Sequence, residues 1–102
     1  MRAFIISDNT DSLVGMKIAG INGIIAHSRE EVINAINHLK EQKDIGIIII
    51  TEVVAGYIPE ELIEMKLAKN GPLIVEIPDR HGSARGSDYI AKYMKESIGL
   101  KI

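Results

Sequence analysis

Four consecutive isoleucines, Ile47–Ile50, constrain the fold of this chain more than any other segment. They lie between the turn-forming segment Asp44-Ile45-Gly46 and the polar pair Thr51-Glu52. A β-branched run without polar alternation is typical of a strand buried on both faces, as in a parallel sheet flanked by helices. Ala3–Ile6 is a second continuously apolar segment. The two runs therefore predict the central strands of an α/β sheet.

Two further segments have the character of edge strands. Gly23–Ala26 is short, and Leu73–Ile77 contains Glu76 and lies between two prolines. Charges and prolines are concentrated on the outer strands of sheets. With the two apolar strands in the middle, we predict the order 2-1-3-4. This is a Rossmann-like, truncated flavodoxin-like sheet of four parallel strands.

Helical patterns separate the strands, which is why we expect parallel pairing and right-handed crossovers. Asp8–Asp11 supplies turn and capping residues before a helix that ends near Gly20. Ser28 and Glu31 have the spacing of a capping box, in which each side chain bonds the backbone amide of the other. Pro59 suits the first turn of a later helix.

Composition narrows the classes of partner and compartment. At 102 residues the chain has room for one domain. Its 14 acidic and 12 basic residues are interspersed without a basic stripe, so we expect no nucleic-acid partner. The absence of cysteine excludes disulfides, thiolate nucleophiles and Cys-based zinc sites, and it fits the cytoplasm. No stretch approaches the roughly 20 apolar residues that span a bilayer, so we expect no direct membrane insertion.

A ligand of such a sheet would lie beyond the carboxyl ends of the strands. Asp8, Asp11 and Glu52 follow strands there and could converge on a magnesium ion, as in a receiver domain. Residues of this type directly before helices also act as caps. A receiver would need a phosphorylatable Asp where this chain has Thr51, and a Lys after a fifth strand. A stand-alone receiver-like signalling or protein-interaction module is the alternative function.

No other motif points to catalysis or to a cofactor. Gly15, Gly20 and Gly23 match neither G-x-x-x-x-G-K-[ST] nor a G-x-G-x-x-G loop, and they predict helix packing and a turn. The three histidines lack metal-ligand spacing, and no G-x-S-x-G elbow surrounds a serine. We therefore predict no catalytic residues, no cofactor and no metal site. A small phosphate-binding enzyme is a second alternative.

The residues after the last strand suggest a division into a Rossmann-like domain (1–78), a flexible loop (79–86) and a C-terminal helix (87–102). The loop is polar and contains glycine. Binding of an anion at the start of the following helix is an alternative function of this segment. The helix either packs on the sheet as its last covering layer or offers its apolar stripe to a partner helix. Tyr and Met suit such an interface. The candidate partner-binding residues are Ile90, Tyr93, Met94 and Ile98.

Several segments follow one another in a distinctive order. Gly15–Gly20 (GMKIAG), Ile45–Glu52 (IGIIIITE) and Pro72–Asp79 (PLIVEIPD) are followed by Gly82 and, near the end, by Gly99. Over essentially the whole chain, this order and spacing resemble those of the F subunit of the V/A-type rotary ATP synthases and ATPases. The segment GMKIAG departs from the aromatic-Arg pair that is common in that family.

The resemblance implies a central-stalk rotor subunit without catalytic residues of its own. Such proteins bind the coiled-coil shaft, which is the D subunit of these complexes, and transiently the A/B hexamer, while other subunits bind ATP. It also implies a Rossmann-like domain with a separable C-terminal helix, located in the cytoplasm and peripheral to the membrane. The implied role is to help couple ATP synthesis or hydrolysis to proton or sodium transport.

Overall fold

The computed structural model describes residues 1–78, and within them four strands alternate with helices. In chain order the elements are β1 (Arg2–Ser7), α1 (Thr10–Ile18), β2 (Asn22–Ile25), α2 (Arg29–Lys40), β3 (Ile45–Thr51), α3 (Glu52–Tyr57), α4 (Pro59–Leu67) and β4 (Leu73–Ile77). No helix within residues 1–78 is both long and apolar enough to cross a bilayer. The predicted loop and C-terminal helix lie outside the described residues. So do the candidate partner-binding residues Ile90, Tyr93, Met94 and Ile98.

All pairings in the sheet are parallel, and the strand order is β2-β1-β3-β4. This confirms the predicted α/β class and the order 2-1-3-4. β3 is longer than the isoleucine run, because it begins at Ile45 and includes Thr51. β4 pairs with β3 from Leu73, opposite Ile47, to Ile77, opposite Thr51. The apolar strands are therefore central, as their two-sided burial requires.

The two faces of the sheet are covered by different helices, because right-handed crossovers fix the side on which each helix returns. The step from β1 to β2 runs opposite to the later steps, so α1 lies on one face, the front face, and α2, α3 and α4 lie on the other, the back face. The buried back-face core consists of Ile6, Ala26, Val32, Ile36, Leu39, Ile45, Ile48, Ile50, Val54, Ala55, Ile58 and Leu62. The buried front-face core consists of Ile5, Met16, Ile21, Ile47, Ile49 and Ile77.

Side-chain caps define the starts of α1 and α2. Asn9 accepts a 2.7 Å hydrogen bond from the amide of Ser12 at the start of α1, and Ser28 accepts one of 3.2 Å from Glu31 at the start of α2. The carboxylate of Glu31 accepts from the amide of His27 at 3.0 Å. In a capping box the carboxylate of Glu31 would accept from the backbone amide of Ser28. Here the donor is the amide of His27, one residue earlier in the chain. The amide that this bond satisfies lies just before the helix.

Two glycines between α1 and the sheet have specific steric roles. Gly20 has φ +84°, a conformation that side chains disfavour, and it turns the chain from α1 into β2. Gly23 pairs with Ile5, and an added Cβ there would collide with the side chain and carbonyl oxygen of Ile5. That Cβ would also lie 3.0 Å from Leu13 of α1. These positions confirm the predicted turn and close packing.

Candidate functional site

The carboxyl edge of the sheet brings together polar residues from two central strands. Asp8 follows β1, and Thr51 ends β3. Thr51 Oγ1 donates a 2.7 Å hydrogen bond to Asp8 Oδ1, and the side-chain amide of Asn9 donates a second bond of 3.1 Å to the same oxygen. The side chain of Thr51 is buried. The carboxylate of Asp8 is therefore held by neighbours within the fold.

The same side chains also cap helices on both faces of the sheet. Thr51 Oγ1 accepts a 3.4 Å bond from the amide of Val54 in α3, while Asn9 caps α1. Ser7 Oγ accepts from the amide of Asn9 at 3.0 Å and donates to its carbonyl oxygen at 2.7 Å. One network thus connects the start of α1 on the front face with the start of α3 on the back face.

This edge differs from the acidic pocket that the receiver alternative requires. Within residues 1–78, no three His, Cys, Asp or Glu side chains are placed to hold a metal ion. Asp8 is bonded to Thr51, whereas Asp11 and Glu52 are exposed in the first turns of two helices. Carboxylates in a first helical turn interact favourably with the helix dipole. The arrangement of Asp8 and Thr51 therefore supports a structural role for this edge.

Apolar side chains of β3 and β4 also lie on the front face of the sheet. α1 contributes Leu13 and Met16 to the front-face core, and no other helix within residues 1–78 contributes to it. Leu73, at the start of β4, is 56 % exposed. The front-face side chains of these two strands are Ile47, Ile49, Val75 and Ile77. Ile49 and Ile77 are fully buried and Ile47 is 7 % exposed, so the exposure of these strands' front-face residues is greatest at Leu73.

A groove with a volume of about 510 Å³ lies between α2 and α4 on the back face. At one end Arg29 spans it: Nη1 donates to Glu61 Oε1 at 3.0 Å and to the carbonyl oxygen of Tyr57 at 3.3 Å, and Nη2 binds Glu61 Oε2. The hydrogen bond from Arg29 lowers the pKa of Glu61 below its usual range. At the other end the groove is lined by Lys40 and Pro72.

Sequence reasoning did not find this groove, because its walls come from helices that are distant in the chain. Ile33 was one available signal. It widens the apolar stripe of α2 beyond the buried positions Val32 and Ile36, and it is half-buried against the back-face core. An amphipathic helix whose apolar stripe is wider than its contact with the sheet has a margin that can meet another helix.

Comparisons with known proteins bear on the whole chain. Residues 3–94 match the family described as the ATP synthase (F/14-kDa) subunit. The F subunit of the A-type ATP synthase of Methanocaldococcus jannaschii is 32% identical over 103 aligned residues, which cover 100% of this chain and 99% of the relative. That of Thermococcus kodakarensis is 30% identical, covering 100% and 98%, and that of Pyrococcus furiosus is 32% identical, covering 96% and 95%. The chain therefore belongs to the family of ATP synthase (F/14-kDa) subunits.

Proposed function

We propose that the chain is a central-stalk rotor subunit of a V/A-type ATP synthase or ATPase and has no catalytic residues of its own. It would bind the coiled-coil shaft, the D subunit of such complexes, and transiently the A/B hexamer. It would thereby help couple ATP synthesis or hydrolysis to proton or sodium transport, in the cytoplasm and peripheral to the membrane. The observation that carries this proposal is the full-length similarity to proteins named as the F subunit of A-type ATP synthases.

The carboxyl edge of the sheet supports a mechanical role. Asp8 and Thr51 bind each other and, with Asn9, fasten the starts of α1 and α3. Partly buried hydrogen-bond networks of this kind hold neighbouring elements in a fixed relation. A protein that transmits force needs such a rigid body more than it needs an open binding pocket.

The division of the chain into a domain (1–78), a loop (79–86) and a C-terminal helix (87–102) is part of the proposal. The helix would contribute an apolar stripe to the contact with the coiled-coil shaft, in the helix-to-helix mode of recognition. In this proposal the same helix also packs on the front face over β3 and β4, so that one of its sides covers the sheet and another contacts the partner. The residues proposed for the partner contact are Ile90, Tyr93, Met94 and Ile98.

The test is to co-express the chain with the coiled-coil subunit encoded beside it and to measure the affinity of the purified pair. We expect a stable complex. The double substitution Tyr93→Ala with Met94→Ala should weaken it at least tenfold while lowering the melting temperature little, since interface aromatics carry much of the binding energy. Lys92→Ala with Lys95→Ala is the matched control off the apolar stripe.

Two results would count against the proposal in different ways. Failure of the unmodified chain to bind the coiled-coil subunit would contradict the rotor assignment itself. If Tyr93→Ala with Met94→Ala left the affinity unchanged but lowered the melting temperature strongly, the helix would be part of the core, and the shaft contact would lie elsewhere.

A further inference from the structure

We propose that the groove between α2 and α4 is a docking site for one amphipathic helix of a partner protein, with an apolar stripe flanked by Lys or Arg. This inference rests on the proposed function, because that function supplies a partner built of long helices. It is distinct from the proposed contact of the C-terminal helix, since it uses the back face of the described domain.

The shape of the groove suits a helix. α2 leads into β3 and α4 leads into β4 on the same face of a parallel sheet, so the two helices return in the same direction. The 12 residues of α2 make a wall about 18 Å long at 1.5 Å per residue. Two helices side by side leave a channel into which the ridge of a third helix can pack. Three turns of a partner helix would fill its length.

The floor of the groove is apolar and its side chains are adaptable. Ile33 from α2 and Met65 from α4 are half-buried, and Ile36 beneath them is 3 % exposed. A half-buried Ile and Met have apolar surface left to bury, and Met adjusts its shape to a neighbour. Asn34 and Asn37, exposed on the lip of α2, can hydrogen-bond polar groups at the edge of the docked stripe.

The charges at the lips select the partner. Three carboxylates line the groove, those of Glu30, Glu61 and Glu64, and Arg29 neutralises one of them by binding Glu61. Lys40 lines the opposite end of the groove, so the lining as a whole keeps a net charge of −1. Glu30 lies in the first turn of α2, where the helix dipole also accounts for it. Glu64 lies beyond the first turn of α4 and is exposed, so the dipole does not explain it. An acidic lip favours a helix with Lys or Arg beside its apolar stripe.

The position of the contact can be tested by photo-crosslinking, because the chain contains no cysteine. In the assembled complex with the coiled-coil subunit, Asn37→Cys labelled with a benzophenone maleimide should form an adduct with that partner. The matched control is Lys17→Cys, exposed on α1 at the front face. We expect its adduct yield to be at least tenfold lower. Peptide mass spectrometry should place the crosslink on a helix bearing Lys or Arg.

Charge reversal tests the proposed chemistry. Glu64→Lys should weaken the complex about tenfold at low salt, and the difference should shrink as salt is raised, since like charges meet at the lip. Glu41→Lys, a charge reversal at another exposed position just after α2 and outside the groove, should change the affinity less than twofold. Circular dichroism melting confirms that both variants are folded.

The outcomes separate this inference from the proposed function. If the unmodified chain does not bind the coiled-coil subunit, the rotor assignment fails. If the complex forms but Asn37→Cys crosslinks only to the C-terminal helix, to a second copy of the chain or to nothing, the groove is not the docking site. Equal affinity of Glu64→Lys and Glu41→Lys would overturn the charge argument even if the crosslink were found.

Discussion

The back face and the front face of the sheet present similar β-branched side chains to very different surroundings. α2, α3 and α4 pack on the back face within residues 1–78, whereas α1 is the helix that contributes to the front-face core there. The cause is topological, because the chain steps once in one direction along the sheet and afterwards in the other. A parallel sheet needs both faces covered. The difference shows that the direction of each step along the sheet decides which face a helix covers.

The largest expected effect comes from a matched pair of neighbours on β3. Ile48→Ala removes a fully buried side chain from the back-face core and should cost about 4 kcal/mol of unfolding free energy. Ile47→Ala makes the same change on the front face, where Ile47 is 7 % exposed and pairs with the exposed Leu73, and should cost about 2 kcal/mol. Urea unfolding of both variants measures the difference. Equal losses would mean that the two faces are equally well packed.

A medium effect is expected where the two faces are joined. Thr51→Val keeps the β-branched shape but removes the hydroxyl that donates to Asp8 and caps α3. It should cost about 1.5 kcal/mol, because a helix cap and a partly buried hydrogen bond to Asp8 are lost together. Thr10→Val, exposed at the start of α1, is the control and should stay within about 0.5 kcal/mol of the parent. A Thr51→Val variant as stable as the control would show that the faces are held together by packing alone.

The smallest effect concerns the ion pair that links α2 to α4 on the back face. The hydrogen bond from Arg29 lowers the pKa of Glu61 from its ordinary value of 4.5. The folded state therefore binds this proton less readily than the unfolded chain does. The resulting stabilisation is present above the ordinary value and is lost as the pH falls through the lowered one. The loss should be small because the pair lies at the surface.

Arg29→Gln tests this acid dependence. It should make the fall in melting temperature between pH 7 and pH 3 slightly smaller than in the parent. Lys40→Gln removes one positive charge from the same helix without contacting Glu61 and should leave that fall unchanged. Identical pH profiles for Arg29→Gln and the parent would mean that the ion pair does not stabilise the back face.

The sheet could be predicted from the sequence mainly from the local pattern of apolar, charged and proline residues. Runs without polar alternation, Ala3–Ile6 and Ile47–Ile50, identify the central strands because only two-sided burial tolerates them. Glu76 indicates an edge strand, because outer strands can carry charged side chains. In the structure its Oε2 lies 3.7 Å from Nζ of Lys66. Pro59 lies at the start of α4, as its fixed φ and missing amide hydrogen predict.

Other features depend on distances that no local pattern encodes. The Thr51–Asp8 hydrogen bond joins residues 43 positions apart, and no pattern within either segment predicts it. The return bond of Glu31 to His27 differs from the capping-box expectation by one residue, a choice that depends on the path of the chain before the helix. The predicted contacts of Ile90, Tyr93, Met94 and Ile98 lie beyond residues 1–78 and stay predictions.

The sequence by itself determined the elements of residues 1–78, the strand order and the family, because burial periodicity, caps and motif spacing depend only on the order of residues along the chain. Only the tertiary structure decided that Asp8 is a partner of Thr51 and that α2 and α4 stand far enough apart to leave a groove. Both outcomes depend on how the sheet spaces the helices that pack on it. That spacing arises only when side chains from separate segments pack together.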